Sequence, residues 1–141
     1  MNKLELARQI AATADVSTPE SSVVLYSISY QPTDSNKRAA LKYIAENRNS
    51  FTLDNTICGR QLMALNLETG NNNPDAELLK IWAVASRRFI LAASGNITAF
   101  VENADRRSTF VTVELPLILQ NDKIKLINGI DKFEFAHQFL Q

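Results

Sequence analysis

Hydrophobic positions in the first half of the chain recur mainly at helical spacing. This pattern predicts three helices, over residues 2–12, 37–47 and 52–65. Thr52 stands at the start of the third helix, where a hydroxyl N-cap is favoured. Residues 22–30 are richer in valine, isoleucine and tyrosine, so they form either a short strand or a buried helical segment.

A polar breaker separates this half from the rest of the chain. Residues 68–75 contain one glycine, three asparagines and one proline. Beyond the breaker the pattern predicts a long helix over about 74–93 and a weak terminal element over 133–140. Between them it predicts three strands, at 97–101, 109–115 and 123–127, with a turn at Asn128-Gly129.

This order of elements predicts an α+β protein. A helical part, about 1–70, packs on a second part, about 74–141, that bears a small and largely parallel β-sheet. The whole chain of 141 residues is the size of one domain.

Composition excludes several classes of protein. Basic and acidic side chains balance at 15 each, and a nucleic-acid interface normally shows a basic excess, so we expect no nucleic-acid partner. The single cysteine, Cys58, forms no internal disulfide, and with the single His137 it does not make a metal site. No run approaches the roughly 20 apolar residues of a membrane span. We also expect no signal peptide in the charged first residues.

Glu114 is the first candidate for chemistry. The sequence has no glycine-rich phosphate loop, nucleophile elbow or zinc-protease motif, which narrows the enzymatic options to carboxylate mechanisms. On the predicted strand, Phe110 and Glu114 share one face, and Pro116 ends regular pairing just after the acid. Ligands of open α/β sheets sit at that end of a strand. The alternative is a solvated glutamate on an exposed face.

Two other segments carry candidate binding residues. Trp82 and Ser86 are four residues apart and therefore lie on one face of the long helix, although a tryptophan there also suits a core stripe. Tyr26 and Ser27 pair an aromatic ring with a hydroxyl, which also suits ordinary core or turn packing. Asp54 lies at a predicted helix start, where capping is the alternative role.

Together these segments resemble the ADP-ribosyl cyclase and NAD glycohydrolase family. Its Trp-x-x-x-Ser-x-x-Phe helix is matched by Trp82, Ser86 and Phe89, and its Ser-Thr-Phe-x-x-Val-Glu segment by 108–114. The segment 51–59 is similar to the family's Phe-Thr-Leu-Glu motif, and 25–27 to its Leu-Trp-Ser motif.

The resemblance implies roles for individual residues. Glu114 corresponds to the catalytic glutamate, and Asp54 to an acid that influences the partition between cyclisation and hydrolysis. Substrate-binding roles fall on Trp82, Ser86, Thr109, Phe110, Tyr26 and Ser27. NAD is then the substrate, no further cofactor is implied, and 1–141 is a single catalytic domain.

The implied chemistry needs only one carboxylate. The cationic nicotinamide ring stacks on Trp82 and leaves as a neutral molecule, so that no general acid is required. Glu114 stabilises the oxocarbenium-like ribosyl centre. Capture by water gives ADP-ribose, whereas capture by the adenine gives cyclic ADP-ribose.

The sequence departs from the family pattern in several places. Tyr26 replaces a second tryptophan and Ile28 replaces an arginine. The disulfide framework of the family is absent and the chain is much shorter. These departures affect phosphate recognition and cyclisation more than bond cleavage.

The resemblance, together with the small size and the absence of disulfides, implies a bacterial toxin domain, as in contact-dependent growth inhibition. Such a toxin would deplete NAD in the cytoplasm of a target cell, and its producer would need a cognate immunity protein. Two other classes stay open at this point, a non-catalytic immunity or protein-binding module and a small ribonuclease toxin.

Overall fold

The computed structural model describes residues 2–27, 35–67, 76–102, 108 and 110–140. In these residues the α-helices are α1 (Lys3–Thr13), α2 (Ser35–Glu46), α3 (Ile57–Ala64), α4 (Ala76–Ala92), α5 (Leu115–Gln120) and α6 (Lys132–Leu140). The strands are β1 (Val24–Tyr26), β2 (Gly95–Phe100), β3 (Ile124–Ile127) and β4 (Ile130–Asp131). The predicted α+β class is confirmed.

The chain forms two compact units that alternate along the sequence. The first comprises the described residues of 1–17 and 53–92, and the second those of 18–52 and 93–141. The boundary predicted at the breaker 68–75 stays a prediction, because residues 68–75 lie outside the described residues. Within the described residues, the long helix α4 belongs to the first unit together with α1 and α3.

The first unit is helical. Helix α1 packs against α3 and α4, and it buries Ala7 and Ala11 as its periodicity predicts. Helix α4 caps the C-terminal end of α1. The guanidinium of Arg88 in α4 donates hydrogen bonds to the carbonyls of Ala11 at 2.6 Å and Ala14 at 2.8 Å. No helix in the described part of the chain is long and apolar enough to cross a membrane.

The third helix of the chain begins later than predicted. Residues Leu53–Asn55 form a 3-10 turn, and α3 starts at Ile57 with Thr56, not Thr52, as its N-cap. The Thr56 hydroxyl accepts a hydrogen bond from the Gly59 N–H at 3.0 Å and donates to the Leu53 carbonyl at 2.6 Å. Thr52 and Thr56 both offer a capping hydroxyl. Only Thr56 stands three residues before the closely packed Gly59, and it accepts a hydrogen bond from the Gly59 N–H.

The second unit contains the sheet, whose strand order is β1-β2-β3-β4. Strand β2 pairs in parallel with β1 and β3, and β3 pairs antiparallel with β4, so the expected largely parallel sheet is confirmed. The predicted turn at Asn128-Gly129 closes the β3-β4 hairpin, with φ of 53° and 76°. The Asn128 side chain continues the pairing of β2 through hydrogen bonds to the Ala99 N–H at 2.8 Å and carbonyl at 2.9 Å.

The predicted strand at 109–115 is wrong. Phe110–Glu114 form a π-helical turn that runs directly into α5. Valine, threonine and phenylalanine favour a strand in isolation, but strand preference depends on packing surroundings. Here burial follows helical spacing, because Phe110, Val111, Leu115 and Ile118 point into the core. The alternation that placed Phe110 and Glu114 on one exposed face therefore does not exist.

Candidate active site

Glu114 lies at the last position of the π-helical turn, immediately before α5. Its side chain is only partly exposed, and no described residue donates a hydrogen bond or forms an ion pair to its carboxylate. Desolvation by the surrounding protein raises the pKa of Glu114 to about 7. A carboxyl group of this kind is poised between its neutral and charged forms near neutral pH, which is typical of catalytic carboxyls.

Ser108 anchors the N-terminal end of the turn that carries Glu114. Its hydroxyl accepts a hydrogen bond from the Val111 N–H at 3.3 Å, and its carbonyl accepts one from the Thr112 N–H at 2.9 Å. Ser108 is buried, and it was not among the residues predicted to have a function. A serine three residues before a buried apolar position is a sequence signal for a helix N-cap. This signal identifies Ser108 as the anchor of the turn if the segment is not assigned as a strand.

Phe110 lies in the core of the second unit. Its side chain is buried, and its ring meets the Phe139 ring edge to face at 5.9 Å between centroids. The neighbouring Thr109 lies outside the described residues. Substrate-binding roles for both residues stay predictions.

Ser27, at the carboxyl end of β1, has a buried hydroxyl with no hydrogen-bond partner among the described residues. The residue is 3% exposed. Its backbone is held firmly, because its N–H donates to the Phe100 carbonyl at 3.0 Å and its carbonyl accepts from the Asn36 amide at 3.0 Å. An unpaired buried hydroxyl is costly and calls for an explanation. A ligand atom is one group that would satisfy it.

The first unit carries the remaining candidates on two adjacent elements. Trp82 and Ser86 are both half-buried on α4, one turn apart, and the 3-10 turn bearing Asp54 packs against that helix. Trp82 also lines a groove of about 290 Å³. The other residues that line it are Leu62, Met63, Asn66, Leu67 and Leu78. Trp82 is therefore only partly buried, and its substrate-binding role stays a prediction.

The described candidates fall into two local groups. Trp82, Ser86 and Asp54 belong to the first unit, whereas Tyr26, Ser27, Phe110 and Glu114 belong to the second. Among the described residues, no cluster of three or more histidine, cysteine, aspartate or glutamate side chains is placed to hold a metal ion. The described candidates offer a desolvated carboxyl group at Glu114, a second carboxyl group at Asp54, and neutral hydroxyl and aromatic groups.

Comparison with known proteins identifies the fold. No family model and no curated protein sequence matches the chain. Solved structures do match. A glutamate-to-alanine variant of ADP-ribosyl cyclase superposes with a TM-score of 0.52 at 19% identity, over 77% of this chain and 48% of that one. Porcine CD38 with a covalent intermediate, ribo-F-ribose-5'-phosphate, superposes with a TM-score of 0.56 at 18% identity, over 98% and 79%.

Apo porcine CD38 gives a similar result, with a TM-score of 0.54 at 20% identity over 98% of this chain and 78% of that one. The chain therefore has the fold of ADP-ribosyl cyclase and CD38. It spans about half the length of the cyclase structure and nearly four fifths of the CD38 structures.

The raised pKa of Glu114 predicts how the free energy of unfolding changes with pH. Between pH 4.5, the ordinary value, and about pH 7, the unfolded chain releases this proton while the folded protein retains it. The free energy of unfolding therefore falls as pH rises through this window and is constant above it. Glu114→Gln removes the ionisation, so the variant should gain on the order of 2–3 kcal/mol relative to the wild type between pH 4.5 and pH 8.

Urea denaturation at both pH values measures this difference. The matched control is Glu46→Gln, which changes an exposed acid in α2 and should follow the wild type at both pH values. Equal shifts in the two variants, or a gain at low pH instead of high pH, would contradict a desolvated Glu114.

Proposed function

We propose that this protein is an NAD glycohydrolase, which cleaves the bond between nicotinamide and ribose in NAD. The observation that carries the proposal is the desolvated carboxyl group of Glu114, at the position where the sequence resemblance puts the catalytic glutamate. The shared fold supports it. One of the matched structures, that of porcine CD38, contains a covalent intermediate with a ribose-5'-phosphate group.

The electrostatics of Glu114 suit this substrate. NAD carries its positive charge on the nicotinamide ring, and that charge moves to the anomeric carbon of ribose as the bond breaks. A carboxylate that has already lost its hydration attracts this charge far more strongly than one in water does. The approach of a cation also favours the ionised form of Glu114, so that substrate binding itself promotes the loss of its proton.

The reaction then proceeds without a general acid. The bond from the anomeric carbon to nitrogen breaks, and its electron pair neutralises the nicotinamide ring. Glu114 stabilises the positive ribosyl centre, either electrostatically or as a transient ester. Water attacks the same carbon and releases a proton to solution, which gives ADP-ribose.

The hydroxyl of Ser27 is suited to hold a polar part of the substrate. It is buried, no group in the described part of the chain pairs with it, and the Ser27 backbone is fixed by hydrogen bonds to Phe100 and Asn36. A phosphate or ribose oxygen would accept its proton and remove the cost of the unpaired group. Trp82, Ser86 and Asp54 keep the roles that the resemblance implies.

The direct test is nicotinamide release from NAD by the purified protein, followed by chromatography. The wild type should release nicotinamide, and Glu114→Gln should lose a factor on the order of 10²–10³ in kcat because the transition state loses its charged partner. The exposed variant Glu46→Gln should retain wild-type activity.

The assay tests separately whether the protein cleaves NAD and whether Glu114 is the catalytic residue. A wild-type protein that releases no nicotinamide at high concentration would refute the NAD glycohydrolase and favour a non-catalytic binding module. Glu114→Gln with most of the activity left would keep the enzyme but remove Glu114 from the catalytic role.

The same chromatograms identify the product, which should be mainly ADP-ribose. Cyclisation requires the adenine to be held against the anomeric carbon while water is excluded, and Tyr26 here replaces the second tryptophan of the family pattern. With one indole fewer, water reaches the ribosyl centre first. A majority of cyclic ADP-ribose would contradict this partition without affecting the assignment of NAD cleavage.

We further propose that the protein is a bacterial toxin acting in the cytoplasm of a target cell, with a cognate immunity protein in its producer. The single cysteine, Cys58, is buried and free, so folding needs no oxidising compartment. Expression inside bacteria should lower cellular NAD with the wild type and not with Glu114→Gln. Growth arrest with normal NAD and degraded RNA would instead support a ribonuclease toxin.

A further inference from the structure

Glu114 lies inside a continuous helical run and not at a helix end. A true N-cap has extended backbone and accepts a hydrogen bond with its side chain. Glu114 has helical backbone angles, φ −71° and ψ −48°, and makes no capping hydrogen bond. The run is capped by Ser108 and extends from Phe110 to Gln120, so the π-helical turn and α5 are one helix with a change of hydrogen-bond register.

Pro116 stands in the interior of this run. Proline has no N–H to donate, and in a regular α-helix its ring collides with the carbonyl four residues earlier. That carbonyl belongs to Thr112, in the middle of the π-helical turn. A π-helical turn bonds each N–H to the carbonyl five residues earlier, and such wide turns relieve this collision. The position of Pro116 therefore explains why the helix widens at Phe110–Glu114.

The wide turn fixes the direction of the acid. A π-helical turn accommodates more residues than an α-helical turn, so it rotates the side chains that follow it relative to those before it. Both ends are anchored, because Phe110 and Val111 are buried at the start of the widened stretch and Leu115 is buried directly after it. The rotation is thus absorbed at the residues between them, of which Glu114 is the last.

We propose that Pro116 is a positioning residue for Glu114, whose ring imposes the π-helical turn that holds the Glu114 carboxyl group in its working place. The effect of Pro116 on the rate of catalysis rests on the proposed function. Its effect on the position of the Glu114 carboxyl group rests on the backbone geometry alone. The positioning role differs from an ordinary stabilising role. The Pro116 ring disrupts regular α-helix, whereas alanine at this site would favour regular α-helix.

The test is Pro116→Ala. Alanine restores an N–H and removes the collision with the Thr112 carbonyl, so the run should return toward α-helical register with Glu114 rotated away. We expect kcat for nicotinamide release to fall by a factor on the order of 10–10², while KM changes by less than about threefold. The melting temperature should stay within a few degrees of the wild type. The matched control is Pro19→Ala, the same change at an exposed site outside this run, which should leave kcat unchanged.

A second measurement does not depend on turnover. Carbon-13 NMR titration of labelled glutamates, with the Glu114 signal assigned by its loss in Glu114→Gln, gives the ionisation midpoint of that carboxyl group. In Pro116→Ala the midpoint should move toward the ordinary value of a glutamate, because the group leaves its desolvated place. In Pro19→Ala it should not move.

The two readouts separate the two proposals. A wild type without NAD cleavage refutes the proposed function, and the titration still tests the role of Pro116. A Pro116→Ala protein with unchanged midpoint overturns the positioning role, as does one with an unchanged kcat in an active enzyme. An unfolded Pro116→Ala protein also overturns it, since the ring would then be required for stability.

Discussion

The removal of the Glu114 carboxyl group from water links the position of this residue in the fold to its proposed chemistry. Desolvation without a compensating hydrogen bond or cation costs the folded protein free energy near neutral pH, when this group ionises. Evolution tolerates such a cost where function requires it. In the proposed function, a cationic substrate would recover that energy, because it would supply the positive charge that the described residues around Glu114 do not.

The second unit holds the segment that carries Glu114 in place through several hydrogen bonds and buried side chains. Helix α5 buries Leu115 and Ile118, and its C-terminal carbonyls at Ile118 and Asn121 accept hydrogen bonds from the buried ammonium group of Lys132 at 3.2 Å and 2.8 Å. The Asn121 amide in turn donates to the Ala93 carbonyl at 3.0 Å, just before β2. The acid is therefore carried by a segment that is tied to both the sheet and α6.

Much of the fold was predictable because its signals are local. The spacing of Ala7 and Ala11 identified α1, and the Asn128-Gly129 pair identified the hairpin turn. The segment around Glu114 was not, because its β-branched residues favour a strand while Ser108 and Pro116 impose a capped, widened helix. Glu114 was a candidate both as an acid near the end of a predicted strand and through the resemblance to a family motif. Its raised pKa depends on how the folded chain excludes water, which no short sequence pattern reports.

The most direct measurement is the pH dependence of kcat/KM for nicotinamide release by the wild type, since this quantity reports ionisation of the free enzyme. If ionised Glu114 stabilises the ribosyl centre, kcat/KM should rise about tenfold per pH unit at low pH and level off above pH 7, the raised pKa of Glu114. The Glu46→Gln control should give the same curve. A rate that is flat between pH 5 and pH 8, or that falls as pH rises, would contradict catalysis by a desolvated Glu114 carboxylate.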